Sequence, residues 1–139
     1  MRQVQRDLEV ETRGRGLIDM TAAIASFVAE CEASEGLLTI FCRHTSASLV
    51  IQENADRDVL RDLESFLSRI APEDEERYRH RTEGPDDMPA HIRAALTNSS
   101  LAIPVRDGEL ALGIWQAVYL WEHRSQPQRR TLALHFLGT

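Results

Sequence analysis

The sequence predicts an α+β fold: a compact mixed or antiparallel sheet packed with helices. Three observations predict it. Segments of alternating apolar residues stand beside segments with apolar residues at helical spacing. The two kinds do not alternate strictly, as a doubly wound parallel sheet would require. The C-terminal part reads almost wholly as strands.

Each element has its own pattern. Val4, Leu8 and Val10 share a parity with charges between them, a half-buried first strand ending at Gly14-Arg15-Gly16. Met20, Ile24, Phe27, Val28 and Cys31 form the stripe of an amphipathic helix, with Gly36 as its stop. Leu37 to Cys42 reads as a strand covered on both faces, and Ala47 to Ile51 as its continuation or the next strand. Val59, Leu60, Leu63, Phe66, Leu67 and Ile70 mark a second helix that begins near Asp56 and closes before Pro72. Residues 72–85 are charged and aperiodic, a long excursion expected to close over a ligand. Asp86 or Asp87 then caps a short helix, with Pro89 and His91 in its first turn. Leu101 to Val105, Glu109 to Arg124 and Arg130 to Leu137 complete the strands, with Arg106-Asp107-Gly108 as a hairpin turn.

A chain of 139 residues is expected to form one domain, 1–139, and to bury enough surface to fold without disulfides. Its 16 basic and 22 acidic residues give a net charge of −6, which argues against a nucleic-acid partner. No apolar run approaches a membrane span, so no membrane partner and a cytoplasmic location are expected. Cys31 and Cys42 are not in metal-type spacing and both fall among apolar residues, so they read as buried small hydrophobes.

The chemistry concentrates in three polar segments. His44-Thr45-Ser46 leaves an apolar strand and is soon followed by Glu53-Asn54-Ala55-Asp56. The second segment is Asp86-Asp87-Met88-Pro89-Ala90-His91, and the third runs from Trp115-Gln116 to Glu122-His123-Arg124. His44, His91 and His123 lie 47 and 32 residues apart, so they make no local metal motif. Each stands near the end of a regular element, where three imidazoles can converge on a divalent metal; the plainer reading is three hydrogen-bonded rings. At that metal, zinc or another transition metal is expected rather than magnesium, which prefers oxygen ligands. Asp87 at a helix start, with Arg124 and Arg130, suits an anion; caps and surface arginines are the alternative. Ser46 shares parity with His44 and reads as a hydrogen-bonding group. Glu53 and Asp56 are candidate general acid/base groups, with Asn54 beside them. Trp115, Tyr119, Trp121 and His123 share one face if their strand is unbroken, and Gln116 the other; the aromatic face fits a flat heterocycle, a core or a subunit interface.

Taken together, His44-Thr45-Ser46-Ala47-Ser48-Leu49, Glu53-Asn54-Ala55-Asp56, Tyr78-Arg79-His80, Glu83 to Ile92, Leu110 to Gln116 and Glu122-His123-Arg124 resemble the YjbQ family, whose members are often labelled secondary thiamine-phosphate synthase. The resemblance covers nearly the whole chain. It departs at Ala117, where glycine is expected, and at Trp121, where cysteine is expected. It implies a YjbQ-like homotrimer with a site around His44, His91 and His123, near subunit boundaries. The activity it implies joins a pyrimidine diphosphate to a thiazole phosphate and releases pyrophosphate. In that reading the catalytic residues are His44, Glu53, Asp56 and His91, and the metal ligands are His44, His91 and His123. Ser46, Asn54, Asp87, Trp115, Gln116, Arg124 and Arg130 bind the phosphorylated heterocycle or another anion. The alternatives are a metal-dependent hydrolase and a non-catalytic trimer that binds a metal or metabolite.

Overall fold

A computed structural model describes residues 1–139. The first element, β1 (Arg2–Glu11), pairs antiparallel along its whole length with the last, β8 (Arg129–Gly138), from Arg2↔Gly138 to Glu11↔Arg129. On the other side of β8 lies β3 (Gly36–Cys42), followed by β5 (Ser100–Arg106) and β6 (Glu109–Leu110), which complete an antiparallel sheet in the order β1-β8-β3-β5-β6. Asp107 and Gly108 both have positive φ, 52° and 80°, so the β5–β6 turn is a two-residue primed hairpin loop, as the sequence predicts. A second antiparallel sheet, in the order β2-β7-β4, contains β2 (Gly16–Asp19), β4 (Ala47–Glu53) and β7 (Gln116–Glu122).

The inner faces of the two sheets share one core. Leu38, Ile40, Leu132, Leu134 and Phe136 from the first sheet meet Leu49, Val118 and Leu120 from the second. Helix α1 (Thr21–Glu30) adds Ile24, Phe27 and Val28 to it. Each such side chain contributes roughly 1.5–3 kcal/mol by leaving water. Helices α2 (Arg57–Ile70) and α3 (Asp87–Leu96) pack on β4 of the second sheet. Every residue of β7 after Gln116 is therefore buried, on both of its faces. The 72–85 excursion contains a single 3-10 turn, Glu75–Arg77. No helix is long and apolar enough to cross a membrane.

Five local expectations are corrected. Gly36 does not stop α1: the helix ends at Glu30, Glu32 takes the positive φ of 52°, and Gly36 lies opposite Gly138 in the β3–β8 ladder. A Cβ at Gly36 would sit 2.3 Å from the Leu137 carbonyl oxygen, so close backbone approach requires glycine there. Strand β3 is covered on one face only, since Leu37 and Phe41 are exposed. The stretch 109–124 is broken: β7 begins at Gln116, leaving Trp115 outside it and exposed. Asp86 occupies the cap position of α3, but its carboxylate turns away to Arg124 and Ser125. His91 is the fifth residue of α3, in the second turn, beyond the strong part of the helix dipole. The short strand β2 has too few apolar residues to show a period.

Candidate metal-binding and anion-binding site

Helix α3 and the excursion before it bring four ligand-type side chains together. His80 and Glu83 come from the excursion, Asp87 and His91 from successive turns of α3. One ligand atom from each lies within 4.8 Å of all the others. Asp87 is at the centre: its Oδ2 is 2.7 Å from His80 Nε2 and 2.9 Å from His91 Nε2. His80 Nε2 is also 3.2 Å from Glu83 Oε2. Arg124 supports the group from behind, donating from Nη1 to Asp87 Oδ1 at 2.7 Å, from Nε to Asp86 Oδ2 at 3.0 Å and from Nη2 to the Glu83 carbonyl at 2.9 Å. Burial works to raise the carboxyl pKa of Asp86, but the Ser125 amide and the Arg124 guanidinium outweigh it and hold the group at about 2. Burial also works against ionised Asp87, and hydrogen bonds from its neighbours, His80 first, keep it below the ordinary value. The Asp87 hydrogen bond and charge raise the pKa of His80.

Beside this group lies an open groove made of two adjoining cavities of about 660 and 340 Å³, which share His44, Thr45 and Ser99. One end holds Arg43, Ser46 and Arg130, and the other holds His91, Ala94 and Ala95. His44 Nε2 accepts the Thr131 backbone N–H at 2.8 Å. A neutral ring that accepts at Nε2 carries its proton on Nδ1, so His44 is a donor and not a metal ligand. Burial and the nearby Arg130 charge lower its pKa and favour that neutral form. Arg130 is buried against Glu122, to which its Nε donates at 2.8 Å, and its Nη2 holds Ser46 Oγ at 3.0 Å. Its Nη1 has no partner within the chain.

His123 is not in this site. It is fully buried and both nitrogens are committed: Nδ1 accepts from Arg93 Nε at 3.0 Å, and Nε2 donates to Ser48 Oγ at 2.8 Å. Ser48 then donates to Thr97 Oγ1, 2.6 Å away, and Thr97 donates to the Arg93 carbonyl at 2.8 Å, which closes the ring of bonds. Burial and the Arg93 charge push the His123 pKa down to about 3. Of the expected set His44, His91 and His123, only His91 therefore stands among other ligand-type atoms.

Other expected site residues lie elsewhere. Glu53, Asn54 and Asp56 flank the far end of β4, seven residues beyond Ser46, which is about 20 Å along a strand. There Asp56 caps α2 by accepting from the Asp58 amide at 2.9 Å, and Glu53 Oε2 accepts from the Ala55 amide at 3.1 Å. Asn54 Nδ2 donates to the Ile114 carbonyl at 3.0 Å, and Gln116 Oε1 accepts from the Gly113 amide at 2.7 Å. Both therefore shape the 111–116 loop. Trp115 stands on that loop, 62% exposed, whereas Trp121 is 2% exposed and its indole donates to Glu64. Neither tryptophan lines the groove. All three donor nitrogens of Arg124 serve Asp86, Asp87 and Glu83, so it positions the carboxylates and does not clamp a ligand.

Sequence reasoning missed His80 and Glu83 as members of this cluster, Asp86 as a partner of Arg124, and the buried partners Arg93 of His123 and Glu122 of Arg130. A signal for the quartet was present: His80, Glu83, Asp87 and His91 follow one another at steps of three, four and four. That is a local motif, and because it mixes imidazoles with carboxylates the spacing of the histidines alone does not display it.

Residues 6–139 match the model of the family described as UPF0047 protein YjbQ-like. The chain belongs to that family. It is 53% identical over 137 residues to a UPF0047 protein from Synechocystis sp., covering 99% of this chain and 93% of the relative. It is 40% identical over 121 residues to the UPF0047 protein YjbQ of Escherichia coli O157:H7, covering 86% of this chain and 87% of the relative. Its fold is similar to the crystal structure of a YjbQ/UPF0047 family protein from Clostridium acetobutylicum, with a TM-score of 0.84 and 34% identity over 96% of this chain and 99% of the other. A YbjQ-like protein from Sulfolobus solfataricus shares the fold at a TM-score of 0.86 with 21% identity, over 99% of this chain and all of that one.

Proposed function

We propose that this YjbQ-like protein is an enzyme of the secondary thiamine-phosphate synthase type, acting with a divalent ion on phosphorylated heterocycles. The observation that carries the reading is the groove with Arg43 and Arg130 at one end, His91 at the other and His44 shared between them. The reaction breaks the C–O bond between the pyrimidine's carbon and its diphosphate, the electron pair leaves with pyrophosphate, and the thiazole forms the new bond at that carbon. Its barrier lies in the charge that collects on the leaving group, and donors fixed in advance lower it. His44 lines the groove and is such a donor, because accepting the Thr131 amide at Nε2 leaves its proton on Nδ1. Phe41, Ala47, Ala94 and Ala95 supply apolar walls for the rings, the role once expected of the tryptophans.

In this reading the protein works as a homotrimer in the cytoplasm. The open face of the first sheet supports that assembly, since Leu37, Phe41 and Leu137 stand exposed on it and Phe41 also lines the groove. A neighbouring subunit there would close the groove's outer wall.

The test supplies both thiamine precursors to the purified protein and follows thiamine phosphate and pyrophosphate. Product from the native chain, with at least about 100-fold less from His44→Ala at unchanged melting temperature, is expected. Equal turnover in that variant would remove the site. If no product forms while both precursors bind, the protein is a non-catalytic metabolite binder.

A further inference from the structure

We infer that His80, Glu83, Asp87 and His91 form a resident binding site for one first-row transition-metal ion of the zinc class. The inference gives the divalent ion of the proposed reaction its ligands, and it is tested without substrate.

The argument starts at His91. Its Nδ1 lies 2.9 Å from the Thr45 carbonyl, which accepts only from a protonated nitrogen, so the Nδ1 proton is committed there. In a neutral ring the lone pair then sits on Nε2, and Nε2 faces the carboxylate oxygen Asp87 Oδ2 at 2.9 Å. Two lone pairs that close repel unless a cation lies between them. His80 presents its own Nε2 to the same oxygen at 2.7 Å, and Glu83 adds a carboxylate oxygen. Satisfying these contacts with protons requires His91 to be an imidazolium, its ring 5.4 Å from that of His80 and beside the carboxylate that Arg124 already holds. One divalent ion satisfies the same contacts with both rings neutral.

The surroundings match what metal sites use. A histidine ligand bonded through its other nitrogen to a backbone carbonyl is the usual orienting device, and Thr45 supplies it. Arg124 occupies Asp87 Oδ1 and leaves Oδ2 as the ligand oxygen. Asp87 is itself buried, whereas the side chains of His80, Glu83 and His91 keep 38%, 63% and 30% exposure, so an ion can enter from solvent. Two imidazole nitrogens with two carboxylate oxygens suit zinc, iron(II), cobalt or manganese, and suit neither calcium nor copper(I). Because His80 and Glu83 belong to the excursion, an ion there also ties that segment to α3.

The metal-stripped full-length protein is titrated with Zn²⁺ and separately with Co²⁺, whose visible absorption reports coordination by nitrogen. Uptake of one ion per chain is expected, weakened at least about 100-fold in both His80→Ala and His91→Ala and unchanged in His44→Ala. His80→Ala alters a half-exposed loop side chain outside the core, so the variant should keep a folded far-UV circular dichroism spectrum, which separates loss of a ligand from loss of the fold. No uptake by the native chain, native affinity in both variants, or loss in His44→Ala instead would overturn the site. Metal uptake without thiamine phosphate formation would keep this inference and sink only the reaction; catalysis by a protein that takes up no metal would do the reverse.

Discussion

Arg93 Nε donates to His123 Nδ1 at 3.0 Å, deep between α3 and β7, and that bond decides what His123 is. Arg93 is 1% exposed and its remaining donors go to Ser68 and Glu64. The imidazole is the acceptor that lets a guanidinium be buried there, and through Ser48 and Thr97 it anchors the helix that carries Asp87 and His91. A histidine expected among the metal ligands is instead a fastener for the helix that carries Asp87 and His91.

The first prediction concerns that fastener. His123→Ala strands a buried guanidinium N–H and the Ser48 hydroxyl and opens a cavity. Chemical denaturation should show a loss of about 3 kcal/mol, while the folded variant at low temperature keeps its metal uptake. A variant as stable as the native chain would contradict the network.

A pH dependence follows from the same residue. His123 has an ordinary pKa of 6.5 and about 3 when folded, so between those values the unfolded chain binds the extra proton. Stability is full above about 6.5 and falls as pH drops, by at most about 1.4 kcal/mol per unit. His44 acts with the same sign, and Asp86 adds a loss as pH falls from 3.8 toward about 2. His80, whose pKa is raised, acts with the opposite sign: its contribution is present below 6.5 and lost as pH rises through its folded value. Urea melts of native protein and His123→Gln at pH 7, 5.5 and 4.5 check this. The glutamine can still accept from Arg93 and donate to Ser48 but does not titrate, so its profile should be flatter. Parallel profiles would refute the assignment.

Gly36 and Gly138 pair across β3 and β8, and a Cβ on Gly138 would lie 2.1 Å from the Glu35 carbonyl oxygen. Backbone cannot yield there as a flexible side chain would. Gly36→Ala is expected to cost about 2 kcal/mol, read as a lower thermal midpoint. An unchanged midpoint would mean the two strands separate at little cost.

Leu37 and Leu137 are register partners in the same ladder, each 43% exposed on the open sheet face. If that face is the proposed subunit contact, Leu37→Glu and Leu137→Glu should each shift the protein from trimer to monomer in sedimentation velocity, with folded far-UV circular dichroism. Trimers that persist in both variants would place the contact elsewhere.

The sequence by itself determined the family, through its polar motifs, and the α+β class, the amphipathic helices and most strand positions, through local periodicity, which Val4-Leu8-Val10 and the stripe from Val59 to Ile70 display openly. It also marked the polar segments that matter, because polar groups crowded at the end of an apolar strand, as at His44, have little reason to be there unless something is bound or fastened. What each polar side chain does was decided only by tertiary structure. His44 became a donor because Thr131, 87 residues away, spends its Nε2 lone pair. His123 became a core group because Arg93 meets it from helix α3. Glu53 and Asp56 left the site because β4 is an extended strand of seven residues that carries its two ends apart. A histidine's role is set by whichever donor or acceptor faces each ring nitrogen, and that partner comes from a distant part of the chain that local spacing does not encode.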